Sequence, residues 1–372
     1  MKRENNLNKI TEPLMEWYQK QKRDLPWRDK HNPYYTWISE IMLQQTRVEA
    51  VKPYFQRFVS ALPGIEQLAE CPEEQLLKLW EGLGYYNRVR NMQKAAKEVV
   101  KVYQGELPAD YEKLKQLSGI GNYTAGAIAS IGYGIAVPAV DGNVLRVWSR
   151  LNESSEDIMK QSVRKHVEAD FQKIIPKENP GDFNQALMEL GAVVCVPNGA
   201  AKCDLCPLTK FCGAFKQQTQ MNYPVKKTKK ERRIEERTIL VIQDGERVAI
   251  SRRPNKGLLA GLFELPNIEG HLDSDEVLKY MQRYDLEPIR VQSLEASKHI
   301  FSHIEWRMIG YRIRVSSLEK MREQNIIFAS QENIEEKYPI PAAFAAYTRY
   351  MNIRLGQEKY QVQKEAWENS ER

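Results

Sequence analysis

The sequence predicts a multidomain fold: an all-α N-terminal domain followed by an α+β C-terminal domain. Three observations carry this expectation. Apolar residues recur with a period near 3.6 through residues 8–215. A basic stretch then breaks the pattern, and beyond it short apolar runs with strand-like alternation take over. The length of 372 residues exceeds what one hydrophobic core usually organises.

Within the helical part, Trp37, Ile38, Ile41, Met42, Gln45 and Val48 follow helical spacing, as do Ala125, Ile128, Ala129 and Gly132. Turn signals such as Leu62-Pro63-Gly64 and Gly105-Glu106-Leu107-Pro108 separate the helices. From Lys216 to Arg233 there are seven basic residues and one acidic residue, which predicts a solvated linker over 216–234. Thr238–Ile242, the turn Asp244-Gly245 and Arg247–Ser251 read as a β-hairpin. Further strands are expected at 289–294 and 308–316 and helices near 274–283 and 341–350, giving an α+β domain over 235–350. A polar tail, 351–372, closes the chain.

Composition places the chain among ordinary globular proteins, 42% hydrophobic and 28% charged. A net charge of +6 leans toward a polyanionic partner. No apolar run reaches the length of a membrane span, and the charged start Met1-Lys2-Arg3-Glu4 lacks the apolar segment of a secretory signal. A cytoplasmic location is therefore expected, where structural disulfides are rare. Yet four of the five cysteines crowd together: Cys195, then Cys203, Cys206 and Cys212 within ten residues. Thiolates at this density are expected to hold zinc or an iron–sulfur cluster. Structural zinc usually shows two close cysteine pairs, whereas only Cys203 and Cys206 are two apart here. Cys71 stands alone and reads as a buried, inert thiol.

The run Leu117-Ser118-Gly119-Ile120-Gly121-Asn122-Tyr123 joins a helix ending near Leu117 to one starting near Tyr123. Its glycines let backbone approach an anion closely, and the N–H groups that follow can hold a phosphate. Eighteen residues after Tyr123 comes Ala139-Val140-Asp141-Gly142-Asn143, with Asp141 set to cap a helix. This combination resembles the helix-hairpin-helix DNA glycosylases. The resemblance implies that Asp141 stabilises an oxocarbenium-like sugar, with Asn143 beside it in the catalytic site. It implies that Gly119 and Gly121 contact DNA. Bifunctional members carry lysine at the position of Tyr123; a tyrosine forms no Schiff base, so hydrolysis by water without an efficient lyase step is expected.

Trp37-Ile38-Ser39-Glu40-Ile41-Met42-Leu43-Gln44-Gln45-Thr46 resembles the signature helix of adenine DNA glycosylases of the MutY type. By that resemblance Glu40 is the general acid. Adenine leaves poorly unless a ring nitrogen is protonated, and a glutamate in a dry pocket can stay protonated near neutrality. The base must be flipped out of the duplex; the resemblance implies that Gln45, and Tyr85 in Gly82-Leu83-Gly84-Tyr85, fill the gap, and that Arg28 lies near the adenine. It also makes Cys195, Cys203, Cys206 and Cys212 the ligands of a 4Fe–4S cluster, whose loop would present Lys202 and Lys210 to phosphates. One departure stands out: seven residues separate Cys195 from Cys203, where the family usually has six.

Ser251–Pro266 and Phe301-Ser302-His303 resemble the MutT-like (Nudix-like) domain that adenine glycosylases append. The glutamate-rich helix that would bind magnesium is absent, so no nucleotide hydrolysis is expected. By resemblance Phe301, Ser302 and His303 read 8-oxoguanine in the opposite strand. The whole resemblance implies a monomeric base-excision enzyme acting on double-stranded DNA with adenine opposite 8-oxoguanine or guanine.

Overall fold

The computed structural model describes residues 6–28, 32–227, 231–319, 321 and 325–356. Linker residues 228–230 and tail residues 357–372 lie outside the described residues. Contacts divide the chain into two compact units, one of residues 1–70 and 90–228, the other of residues 71–89 and 229–372.

The helices, in chain order, begin with α1 (Thr11–Gln21), α2 (Pro33–Leu43), α3 (Val48–Ala61) and α4 (Ile65–Glu70). Next come α5 (Glu73–Leu79), α6 (Asn87–Tyr103), α7 (Tyr111–Gln116) and α8 (Asn122–Ala127). The helical unit ends with α9 (Gly142–Asn152), α10 (Gln161–Gln172), α11 (Pro180–Val193) and α12 (Gly213–Lys216). Of these, α5 lies in the second unit. Their starts are written in local chemistry. Asn32 accepts hydrogen bonds from the backbone N–H of Tyr34 (2.9 Å) and Tyr35 (3.3 Å), and Pro33 fills the first helical position of α2. Asp110 and Asp141 cap α7 and α9 in the same way. Leu14 and Tyr18 of α1, Val144, Val147 and Trp148 of α9, Phe171 of α10, and Phe183, Leu187 and Leu190 of α11 form one buried core. Each such side chain contributes roughly 1.5–3 kcal/mol by leaving water. Gly191 lets α11 close on α9: an added Cβ there would lie 2.5 Å from the Cβ of Asn143. Linker residues up to 227 belong to this unit and carry a short 3₁₀ turn, Gln220–Asn222.

In the second unit the strands are β1 (Arg233–Asp244), β2 (Arg247–Arg252), β3 (Phe263–Glu264), β4 (Asn267–Glu269), β5 (Pro288–Ile300), β6 (Ile304–Val315) and β7 (Ile326–Ser330). The sheet order is β3-β2-β1-β6-β5, with β4 on β1 and β7 on β2. β1 and β6 run parallel from Arg233↔Ile304 to Gln243↔Arg314, and the other pairs are antiparallel. Side-chain alternation splits the apolar residues between two faces. Ile239, Val241, Trp306 and Met308 face a layer with Phe344 and Tyr347, whereas Leu240, Ile242, Tyr311 and Ile313 face Val277 and Met281 of α13 (Ser274–Gln282). α14 (Gln331–Lys337) and α15 (Ala345–Thr348) complete the unit.

The expected strands at 289–294 and 308–316 are the far halves of a longer hairpin, β5–β6, whose turn is Phe301-Ser302-His303. The expected helix near 341–350 is a broken run of 3₁₀ and α turns. Residues 71–89 join this unit because Lys78 donates to the carbonyl oxygens of Ile334 and Tyr338 (3.1 Å each), while Glu81 accepts from the N–H of Ile340 (2.9 Å). Among the described residues, no helix is long and apolar enough to cross a membrane.

Candidate active site

A cavity of about 650 Å³ opens in the helical unit, and it is lined by Arg28, Glu40, Gln45, Tyr123, Asp141 and Asn143 among others. Six of the residues singled out in the sequence thus meet in one place, although 115 positions separate Arg28 from Asn143.

Glu40 sits on α2 with its side chain buried, 6% exposed. Desolvation lifts its pKa from 4.5 to about 7; the hydroxyl of Tyr123 opposes the rise, the charge of Asp141 adds to it and that of Arg28 opposes it. The Tyr123 hydroxyl donates a short hydrogen bond to Oε2 of Glu40, and Sδ of Met188 lies 3.5 Å from the same hydroxyl. Burial, then the charges of Glu40 and Asp141, push the phenol well above its ordinary range, so Tyr123 is a neutral donor.

Asp141 is held differently. As the N-cap of α9 it accepts from the N–H of Val144 (2.7 Å), and Nδ2 of Asn143 donates to its other oxygen (2.7 Å). Burial raises its pKa, while those two hydrogen bonds and the charge of Arg146 pull it back. Donors that favour the ionised form therefore surround Asp141, whereas Glu40 has the environment of a neutral acid. Burial raises both carboxyl groups, but only Asp141 is met by several donors, and such unlike surroundings suit opposite roles in one reaction.

Behind Asp141 the network continues along α9. Arg146 donates to Oδ1 of Asn143 (2.9 Å) and to the carbonyl oxygens of Gly191 and Cys195 (2.8 Å each). Sequence reasoning missed this arginine, and also Met188 and Glu189 on α11. Glu189 is 1% exposed. Burial works to raise its pKa, yet hydrogen bonds and charge from Arg23 and Arg28 hold it below the ordinary carboxylate range. Arg28 donates to Oε2 of Glu189 (2.8 Å) and to the carbonyl oxygen of Arg23 (2.9 Å), which fixes it in the cavity wall. A buried glutamate beside Ala186, Leu187 and Leu190 was the available signal, but only its partners give it meaning.

Gln45, exposed at the cavity wall, follows the end of α2 with a left-handed backbone, φ +59°. Glycine usually takes such a position, so a long polar side chain there bears a cost. Tyr85 also adopts a left-handed backbone, φ +48°, and is 49% exposed. It belongs to the second unit. Gly119 has φ +77°, and a Cβ there would lie 2.8 Å from the Cβ of Asn91. Gly121 has an ordinary φ of −95° with open space where a Cβ would be. Gly119 is thus demanded by the protein itself, whereas Gly121 keeps a clear approach to the backbone from outside.

Cys195, Cys203, Cys206 and Cys212 are half-buried free thiols, and Cys195, Cys206 and Cys212 pack against the helical core. Nη1 of Arg150 donates to Sγ of Cys195 (3.2 Å) and Nε2 of Gln220 to Sγ of Cys203 (3.7 Å). Burial, with the nearby thiols of Cys195, Cys212 and Cys203 adding to it, pushes the Cys206 thiol up to about 12. Among the described residues, however, no three His, Cys, Asp or Glu side chains converge where a metal ion would sit. Lys202 and Lys210 on this loop are exposed, and Cys71 is buried.

In the second unit, the hairpin turn projects Ser302 and His303 into solvent. Phe301 is half-buried and packs edge-on against Trp306 and His299, with ring centroids 5.0 and 4.7 Å apart.

Residues 38–177 match the HhH-GPD superfamily of base excision DNA repair proteins, and residues 237–349 match the NUDIX domain. A solved thermostable thymine-DNA glycosylase is 26% identical with a TM-score of 0.52, covering 57% of this chain and 98% of its own. Fold and cavity together define a base-excision DNA glycosylase with a Nudix-like second domain. The adenine DNA glycosylase of Mus musculus is 36% identical over 351 residues, 78% of this chain and 68% of that one. That of Buchnera aphidicola subsp. Baizongia pistaciae is 35% identical over 295 residues, 78% and 82% of the two chains. The chain belongs to the adenine DNA glycosylase family.

Proposed function

We propose that this enzyme hydrolyses the N-glycosyl bond of adenine paired with 8-oxoguanine or guanine. The observation that carries the reading is Glu40, a buried carboxyl whose pKa lies at about 7 while a second carboxyl, Asp141, lines the same cavity. Adenine is flipped into the cavity, and Glu40 gives its proton to a ring nitrogen of the base. The C1′–N bond breaks with its electron pair leaving on adenine. Asp141, ionised and held by Val144 and Asn143, stabilises the positive sugar. Water then adds hydroxide to C1′, and its remaining proton restores Glu40. Tyr123 has no amine to trap the sugar, so the product is an abasic site in an intact strand.

Gln45 and Tyr85 serve as wedges in the vacated stack, and Arg28 holds one edge of the pocket. Gly119 and Gly121 bring backbone N–H groups to the phosphates. Ser302 and His303 read the opposite base, with Phe301 anchoring their turn on Trp306.

The four cysteines suit a 4Fe–4S cluster in their chemistry: half-buried thiols near one another, with Arg150 and Gln220 donating to two of the sulfurs. Cys195, Cys203, Cys206 and Cys212 would hold it. Bound there, the cluster supplies a cross-link that ties the loop to the helical core and settles Lys202 and Lys210 for phosphate contact.

The test is a set of duplexes with one adenine opposite 8-oxoguanine, guanine or thymine, and one thymine opposite guanine. Strand breaks are read with and without alkali. Breaks that need alkali, and that favour adenine opposite 8-oxoguanine, are expected. Breaks without alkali, or thymine release in place of adenine, would overturn the reading.

A further inference from the structure

The end of the β5–β6 hairpin remote from Phe301-Ser302-His303 carries a second concavity, of about 170 Å³. Gln243 and Gly245 from the β1–β2 hairpin, Arg290 and Gln292 from β5, and Arg312 and Arg314 from β6 line it. The turn and this pocket are separated by the length of the strands, about 30 Å at 3.3 Å per residue. All five side chains lie on the sheet face that carries Trp306 and Met308, beyond the part that Phe344 and Tyr347 cover.

The arginines are arranged against their own repulsion. Arg290 and Arg314 are direct cross-strand partners, and Arg312 lies on the same face two residues along β6. Like charges opposed across a ladder destabilise it. Among the described residues no carboxylate lies within ion-pair distance of any of the three, and none lines the concavity; nearby Asp244 is paired with Arg247 at 2.6 Å. Gln243 accepts from Nε of Arg312 at 2.9 Å, which leaves the outer edge of that guanidinium pointing elsewhere. The lining holds neither an aromatic ring nor an aliphatic side chain to grip a base or sugar. Guanidinium forks converging without a counter-charge match a tetrahedral oxyanion.

We propose that this pocket binds a phosphate group. Its carrier is either the backbone of bound DNA or a free polyphosphate, and both are recognised by the same three guanidinium groups. The site is independent of the base-excision cavity, and its pyrophosphate test does not depend on the adenine reading.

The experiment uses the full chain, wild type against Arg290→Gln/Arg314→Gln and Arg290→Lys/Arg314→Lys. Melting with and without millimolar pyrophosphate reports anion binding, and DNA affinity across a salt series counts phosphate contacts. Pyrophosphate is expected to raise the wild-type melting temperature and to bind at least about tenfold more weakly to the glutamine pair. Without anion the glutamine pair should melt no lower than wild type, which controls for folding and reflects the relief of like-charge repulsion. The lysine pair should keep the DNA salt slope but bind pyrophosphate less well, because the fork is lost. A salt slope smaller by about one to two in the glutamine pair assigns the carrier to DNA. An unchanged slope with lost pyrophosphate binding assigns it to a free polyphosphate. Adenine excision from pre-bound duplex should be unaltered in both variants. Failure of the glutamine pair to change either pyrophosphate binding or salt slope would overturn the proposal.

Discussion

Replacing Tyr123 by phenylalanine keeps the ring that packs at the start of α8 and removes the hydroxyl that donates to Glu40. That hydrogen bond favours the carboxylate, so it holds the pKa of Glu40 below what burial alone would set. In the proposed mechanism Glu40 gives up its proton, so excision is expected to fall as pH rises through its pKa. With the pKa at about 7, about half of the wild-type molecules carry the proton at pH 7, against roughly 0.3% for an ordinary glutamate at 4.5. Burial thus multiplies the competent population roughly 150-fold at that pH. A hydrogen bond to a charged group is worth about 1.5–3 kcal/mol, which corresponds to about one to two pH units. In Tyr123→Phe the alkaline fall of the single-turnover rate should move upward by about that much, leaving the variant less sensitive than wild type between pH 7 and 8. The assay is adenine release from a pre-formed complex at saturating enzyme, measured at half-unit steps of pH. A midpoint that stays in place, or moves down, would refute the assignment of the limb to Glu40.

Stability should record the same carboxyl. A folded-state pKa raised from 4.5 to about 7 means full stability below pH 4.5 and a progressive loss up to about pH 7, which reaches about 3 kcal/mol. Glu40→Gln is thus expected to melt above wild type at pH 8 and together with it near pH 4, as differential scanning calorimetry would show. The two hairpin glycines should separate by role. Gly119→Ala should cost about 1–3 kcal/mol in chemical denaturation because of its left-handed φ and the nearby Asn91, whereas Gly121→Ala should leave stability nearly intact and weaken duplex binding. On the proposed cluster assignment, Cys206→Ser should lower bound iron from about four per chain and abolish the brown visible absorption; iron content and spectrum unchanged from wild type would exclude Cys206 as a ligand.

Much of the fold was legible because it rests on local rules. The helical pattern of Trp37, Ile38, Ile41 and Met42, the cap at Asp141, and the Asp244-Gly245 turn are each set by residues within one or two turns. The β5–β6 hairpin was read too short because its outer part, Glu295–Ile300, is mostly exposed or half-exposed and shows no apolar alternation. The membership of residues 71–89 in the second unit depends on Lys78 and Glu81 meeting backbone some 260 positions away, which no local pattern records. At the site, the resemblance supplied Glu40, Tyr123 and Asp141, yet their different protonation tendencies follow from burial and donor placement that appear only in three dimensions. Glu189, Met188 and Arg146 went unread for the same reason: each acts through a partner far away in the sequence.

The most direct measurement is single-turnover adenine release by Glu40→Gln from a duplex with adenine opposite 8-oxoguanine, taken together with the affinity of the variant for that duplex. Glutamine keeps the shape and has no proton to give. Excision slowed by at least about a hundredfold, with duplex affinity preserved, is the expected result. Excision within a few-fold of wild type at equal affinity would contradict Glu40 as the acid that releases adenine.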